Sequence, residues 1–173
     1  MAGIRSTTQL ISMDYIKQRS PLPDDVNADA IQGSIFEAQE LFIEPKMGSN
    51  LYLDLLDKVN NGSISADTSY VTLLEDYVQP ALLWSTLYLS LVHMWIKPTN
   101  KGMNKLISEY SESVDVGDIT YVRNIYKEYM DERLIRLYNY LIENNSTFTK
   151  FDTGNDGYDD ILPGDDLDLW VMI

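Results

Sequence analysis

The sequence contains no cysteine among its 173 residues and a single histidine, His93. The first absence excludes disulfides, thiol nucleophiles and thiolate metal sites. The second leaves one imidazole, too few for a histidine-based metal cluster. Bases are scarce as well: 13 against 27 acids, a formal net charge of −14. A chain so acidic repels nucleic acid and anionic membrane surfaces, both polyanions. Long apolar runs are also missing. Residues 1–20 hold none of signal-peptide length, so export is not expected. An uncharged run of sixteen residues, Ala81 to Ile96, lies between Pro80 and Lys97-Pro98. A membrane span needs about 20 apolar residues, and this stretch is shorter and carries Ser85, Thr86, Ser90 and His93. It reads as a core helix apolar on nearly every face, surrounded by other helices; no membrane contact is expected.

The rest of the chain organises around that central helix. Residues 1–23 form an N-terminal arm ending in the turn-forming PLPDD (21–25). Ile31, Ile35, Ala38 and Phe42 recur at spacings of four, three and four, which predicts a helix over 27–44 ended by Pro45 and Gly48. Tyr52, Leu55, Leu56 and Val59 predict a second helix over 49–60. The loop 60–69 offers Asp67, Thr68 or Ser69 as a cap for the next helix. That helix meets Pro80, where a kink or restart is expected. Residues 97–118 show no helical period and read as a long connection with a short strand pair around 104–110. Ile119, Val122, Tyr126, Met130, Leu134, Leu137 and Leu141 then predict a long helix over 117–143, capped by Asp115 or Asp118 and supported by a Glu132–Arg136 pair. Leu83, Leu87, Leu91 and Trp95 are expected to bury against its Tyr126, Met130, Leu134 and Leu137. The fold class is all-α: a bundle of four to five helices (24–150), with an acidic extension over 151–173 that ends in apolar residues.

No constellation of residues specifies catalysis, and no cofactor or metal is expected. His93 lies among Leu89, Val92, Met94 and Ile96 with no carboxylate or second ligand at helical spacing, as a structural histidine does. DTGNDGYDDILP (152–163) has the outline of a calcium loop, but Gly154 and Pro163 stand where oxygen ligands are needed. It reads as a solvated acidic loop. Aspartate pairs at 24/25, 159/160 and 165/166 lie in turns, where aspartate is common for turn chemistry alone. Two stretches carry the interaction chemistry. Lys97, Lys101 and Lys105 form a basic cluster. Leu167, Leu169, Trp170, Val171, Met172 and Ile173 close the chain after a region, 152–168, with seven aspartates and no base. An apolar end of this kind calls for burial, either in its own domain or against a neighbouring subunit or partner protein; the acidic stretch before it reads as an extended tether whose reach favours the neighbour.

IFEAQELFIEPKMGSNLYLDLL (35–56) combines an "AQ" helix, an "I-x-P" break and "G-x-x-LY-x-x-L". It resembles head–tail connector (adaptor, or head-completion) proteins of tailed phages of Bacteroidetes, including crAss-like phages. YVTLLEDYVQPAL (70–82), NKGM (100–103), SESVDVGDITYVRNIY (111–126) and RLIRLYNYLIENN (133–145) continue the resemblance in the same order, over about 31–145. The resemblance implies a structural virion protein of the phage neck, assembled in the bacterial host cytoplasm and placed below the capsid portal. It implies a homo-oligomeric ring of roughly twelve copies, in contact with the portal protein and the next neck or tail protein. DNA would pass through the ring without specific binding. The charge alone also fits a different class, a soluble acidic inhibitor or nucleic-acid mimic that blocks a basic partner.

Overall fold

Helices form where the apolar periodicity places them. In the computed structural model, which describes residues 3–22, 28–99, 102–105 and 116–152, the protein is a helical bundle. Two short helices precede the predicted ones, α1 (Ile4–Thr7) and α2 (Met13–Arg19). The Ser12 hydroxyl caps α2 by accepting from the Tyr15 N–H at 3.1 Å. Leu10, Ile11 and Ile16 are buried, so this arm is part of the packed core. The segment between α1 and α2 pairs with no strand among the described residues, and two glutamines bracket it instead. Gln39 accepts from the Leu10 N–H at 2.8 Å, and Gln79 donates to the Leu10 carbonyl at 3.0 Å.

Helix α3 covers 28–47 in three parts: Ala28–Ala38, a π turn at Gln39–Ile43, and Glu44–Met47. Its stripe Ile31, Ile35, Ala38 and Phe42 is buried as expected. Pro45 does not end it. The ending belongs to Gly48, at φ 74° and ψ 146°, a conformation that side chains with a Cβ rarely adopt. Helix α4 (Ser49–Asn60) starts at that corner and buries Leu51, Tyr52, Leu55 and Leu56.

Helix α5 covers 68–95: Thr68–Thr72, a second π turn at Leu73–Val78, and Gln79–Trp95. Asp67 is its cap, accepting from the N–H groups of Ser69 and Tyr70 at 3.2 and 3.4 Å. The interruption expected at Pro80 is this π turn, and the helix continues through it. Both internal prolines stand two residues beyond a π turn. The wider i→i+5 turn moves the preceding carbonyls away from where an α-helix would drive them into the proline ring. Leu82, Leu83, Leu87 and Leu91 are buried, and so are Ser85, Thr86 and Ser90. Two of these hydroxyls are satisfied within the helix, Ser85 to the Ala81 carbonyl at 2.9 Å and Ser90 to that of Leu87 at 3.2 Å. Burial all round makes α5 the central helix, packed chiefly against α3 and the last helix.

Strands β1 (Ile96–Thr99) and β2 (Gly102–Lys105) form an antiparallel hairpin directly after α5. The strand pair expected around 104–110 therefore lies several residues earlier. Lys97-Pro98, read from the sequence as a helix stop, is the middle of its first strand. Helix α6 (Val116–Glu143) buries Met130, Leu134, Leu137 and Leu141, with Ile119, Val122 and Tyr126 half-buried. Its register against α5 is marked by Trp84, whose ring lies 5.6 Å from Tyr126 and 4.7 Å from Tyr129. Asp118 lies inside its first turn, not at the cap, and Asp115 falls outside the described residues. The ion pairs among the described residues are Arg5–Glu44, Lys58–Asp67 and Lys150–Asp54; Glu132–Arg136 is not one of them. The side chains of His93 and Trp95 lie outside the description. Among the described residues no helix is long and apolar enough to cross a membrane.

Candidate assembly surfaces

The basic cluster maps onto the hairpin. In its register Lys97 pairs with Asn104 and Lys105 with Ile96, so the two lysines occupy adjacent rungs of one ladder. Lys101 lies in the connection between the strands, outside the described residues. The apolar end, Leu167, Leu169, Trp170, Val171, Met172 and Ile173, also lies outside them, as does the 152–163 loop beyond Asp152. No group of three or more His, Cys, Asp or Glu side chains among the described residues is arranged to hold a metal ion.

The root of the C-terminal extension is a built site that sequence periodicity missed. After α6, the Phe148 N–H bonds the Asn144 carbonyl at 3.1 Å, and the Asn144 side chain donates to the Tyr140 carbonyl at 2.9 Å. This turn drives Phe148, fully buried, against Tyr70 at 5.4 Å and Tyr140 at 5.9 Å between ring centres. Tyr140 in turn stacks on Tyr77 of α5 at 3.9 Å. Phe151 sits edge-on to Tyr138 at 6.0 Å. Aromatic pairs in these geometries contribute about 0.5–1.5 kcal/mol each beyond their buried area. The signal for this anchor was the pair Phe148 and Phe151 in a stretch otherwise polar. It has no helical or strand period, so only packing reveals it.

A polar clasp closes over the anchor. Asp54 of α4 accepts from Lys150 through Oδ1 and from the Tyr70 hydroxyl through Oδ2 at 2.5 Å. Lys58 lies 4.4 Å over the Tyr70 ring and 3.5 Å from the capping Asp67. Burial alone would raise the Asp54 pKa. The hydrogen bonds from Lys150 and Tyr70, with the charges of Lys150 and Lys58, outweigh it and hold the carboxyl below its ordinary 3.8. Tyr70 moves the other way: burial, the Asp54 hydrogen bond and the charges of Asp54 and Asp67 all raise it. Asp54 is thus held as carboxylate and Tyr70 as phenol, each with its proton chemistry already committed. An open cleft alongside is lined by Asn50, Leu53, Asp57, Thr149 and Asp152 among others.

One further surface escaped the sequence reading, which followed only the buried stripe of α6. Tyr121, Ile135 and Ile142 are 69%, 58% and 42% exposed. Their spacings of fourteen and seven place them along one line of the helix.

The sequence matches the family described as "Family of unknown function (DUF6712)" over residues 43–160. The chain belongs to this family. The DUF6712 match starts at the end of the first π turn, takes in the Gly48 corner, α4, α5, the hairpin, α6 and the aromatic anchor, and stops within the extension. No curated protein and no solved structure matches the chain.

Proposed function

We propose that the protein is a structural ring component of a phage neck, joining copies of itself below the portal, connecting portal to tail and lining or extending the DNA channel. The observation that carries this reading is the corner between α3 and α4. The residues of the resembling stretch meet there: Gln39, Pro45 after its π turn, Gly48 at positive φ, and the fully buried Leu51 and Tyr52. Gln39 donates to the Tyr52 hydroxyl at 3.3 Å and to the Thr8 carbonyl at 3.1 Å, tying the corner to the arm. The motif residues share one task, holding a rigid bend, and that task suits a scaffold better than a reaction centre. The acidity of the chain suits a channel through which DNA slides without being held. The portal and the next neck or tail protein are its proposed partners, and the virion neck its location.

Mass spectrometry of purified virions, with electron microscopy of the chain mixed with its portal, tests this. The expected result is the chain in the virion and ring density on the portal. Absence from the virion, together with a monomer that binds a basic host protein, would instead support the inhibitor or nucleic-acid mimic that the charge of −14 favours.

A further inference from the structure

Among the described residues the hairpin has one closed edge and one open edge. Thr99 pairs with Gly102 across a two-residue connection, and Pro98 pairs with Met103. A connection of two residues closes with a β-turn hydrogen bond across the flanking pair. Antiparallel ladders alternate hydrogen-bonded with non-hydrogen-bonded pairs, which makes Pro98–Met103 a non-hydrogen-bonded one. The backbone N and carbonyl of both residues therefore point away from the partner strand. On β1 that outward nitrogen is a proline's and carries no hydrogen, so the outer edge of β1 is blocked there. On β2 the outward groups belong to Met103 and Lys105, and both are intact. A two-stranded hairpin is marginal alone and gains from a third strand.

We infer that the outer edge of β2 accepts the C-terminal segment 167–173 of a second copy of this chain as a third strand. The segment LDLWVMI is rich in strand formers,. Residues 96–105 carry Lys97, Lys101 and Lys105 and no acid, while Asp165, Asp166 and Asp168 flank and enter the segment. Edge lysines deter indiscriminate pairing and admit an acidic strand.

Distance selects the second copy over the chain's own tail. The extension is rooted by Phe148 against Tyr70, near the start of α5, whereas the hairpin leaves the end of α5 at Trp95. At about 1.5 Å per residue these two ends are roughly 40 Å apart. Residues 153–166 span about 45 Å only when fully extended, and a flexible chain of that length averages roughly 20 Å. A head-to-tail neighbour presents its hairpin within easier reach, and such contacts close into rings. The inference rests on the ring reading for this second copy.

The test uses a fluorescently labelled peptide of residues 153–173, with the full chain carrying Trp170→Asp as its receptor. Anisotropy should rise to saturation. Met103→Pro, which blocks the β2 edge as Pro98 blocks that of β1, should weaken binding at least about tenfold. Lys105→Glu leaves the strands able to pair and should also weaken it, carrying the test if Met103→Pro disrupts the hairpin. A peptide that never saturates, or that binds both variants as it binds their parent, overturns the inference. So does about tenfold weaker binding to a chain with its tail intact, diluted until monomeric, because the tail would then occupy its own edge. A chain whose edge binds the peptide but that never assembles sinks the ring and keeps the edge. Rings that form equally well from Met103→Pro sink the edge and keep the ring.

Discussion

Gln39 carries an acceptor and two donors into a core where its side chain is fully buried, and all are used. Replacing it with leucine keeps the approximate volume but strands the Leu10 N–H and the Thr8 carbonyl. A buried polar group left without a partner costs about 1–3 kcal/mol. Urea denaturation of Gln39→Leu should show a loss of that order, and an unchanged midpoint would mean that the arm does not depend on this bracket. The clasp makes a prediction in pH. Asp54 is depressed in the folded state, so its contribution is present above the unfolded value of 3.8 and is lost as pH falls through its lower folded value,. Tyr70 is raised, so its contribution is present below the unfolded value of 10.0 and declines once pH climbs past it,. Melting temperature against pH should fall at both ends, and Asp54→Asn should flatten the acid limb. An acid limb identical in Asp54→Asn would remove the clasp from the account.

Among the elements, the α5–α6 contact and the α3–α4 corner are most sensitive to single changes. Leu87 is fully buried in the central helix. Leu87→Ala loses its transfer free energy and leaves a cavity, together about 2–5 kcal/mol; a variant that melts with the wild type would disprove the central position of α5. At the corner, Gly48→Ala meets no neighbour closer than the Asp152 nitrogen at 4.0 Å. Its cost is therefore backbone strain at positive φ and not a clash, about 1–3 kcal/mol. Calorimetry checks this: Gly48→Ala should melt below the wild type, and an unchanged melting temperature would mean that the corner carries no such strain,.

For the whole molecule, the decisive prediction concerns the extension. Phe148 and Phe151 already seal the bundle before residue 152. A chain lacking residues 160–173 should keep its circular dichroism and melting temperature while failing to assemble with its ring or portal partner. Unfolding of the truncated chain would place the apolar end in its own core, and normal assembly would remove any anchoring role.

Apolar periodicity determines a good deal of this protein without help from tertiary structure. The stripes of α3, α4 and α6, the all-round burial of α5 and the Asp67 cap were legible because each arises from neighbours within a few turns of one helix. Pro45 misled for the same reason. Local rules end a helix at proline, whereas the folded chain absorbs the ring with a π turn and leaves the stop to Gly48. The hairpin's register, the arm's place in the core, the glutamine bracket and the aromatic anchor of Phe148 and Phe151 were decided only in three dimensions. The last three join residues far apart in the chain, as Lys150 joins Asp54 and Leu10 joins Gln79. Periodicity reports which face of an element is apolar. Which partner covers that face, and which distant donor meets which acceptor, depends on packing the elements together.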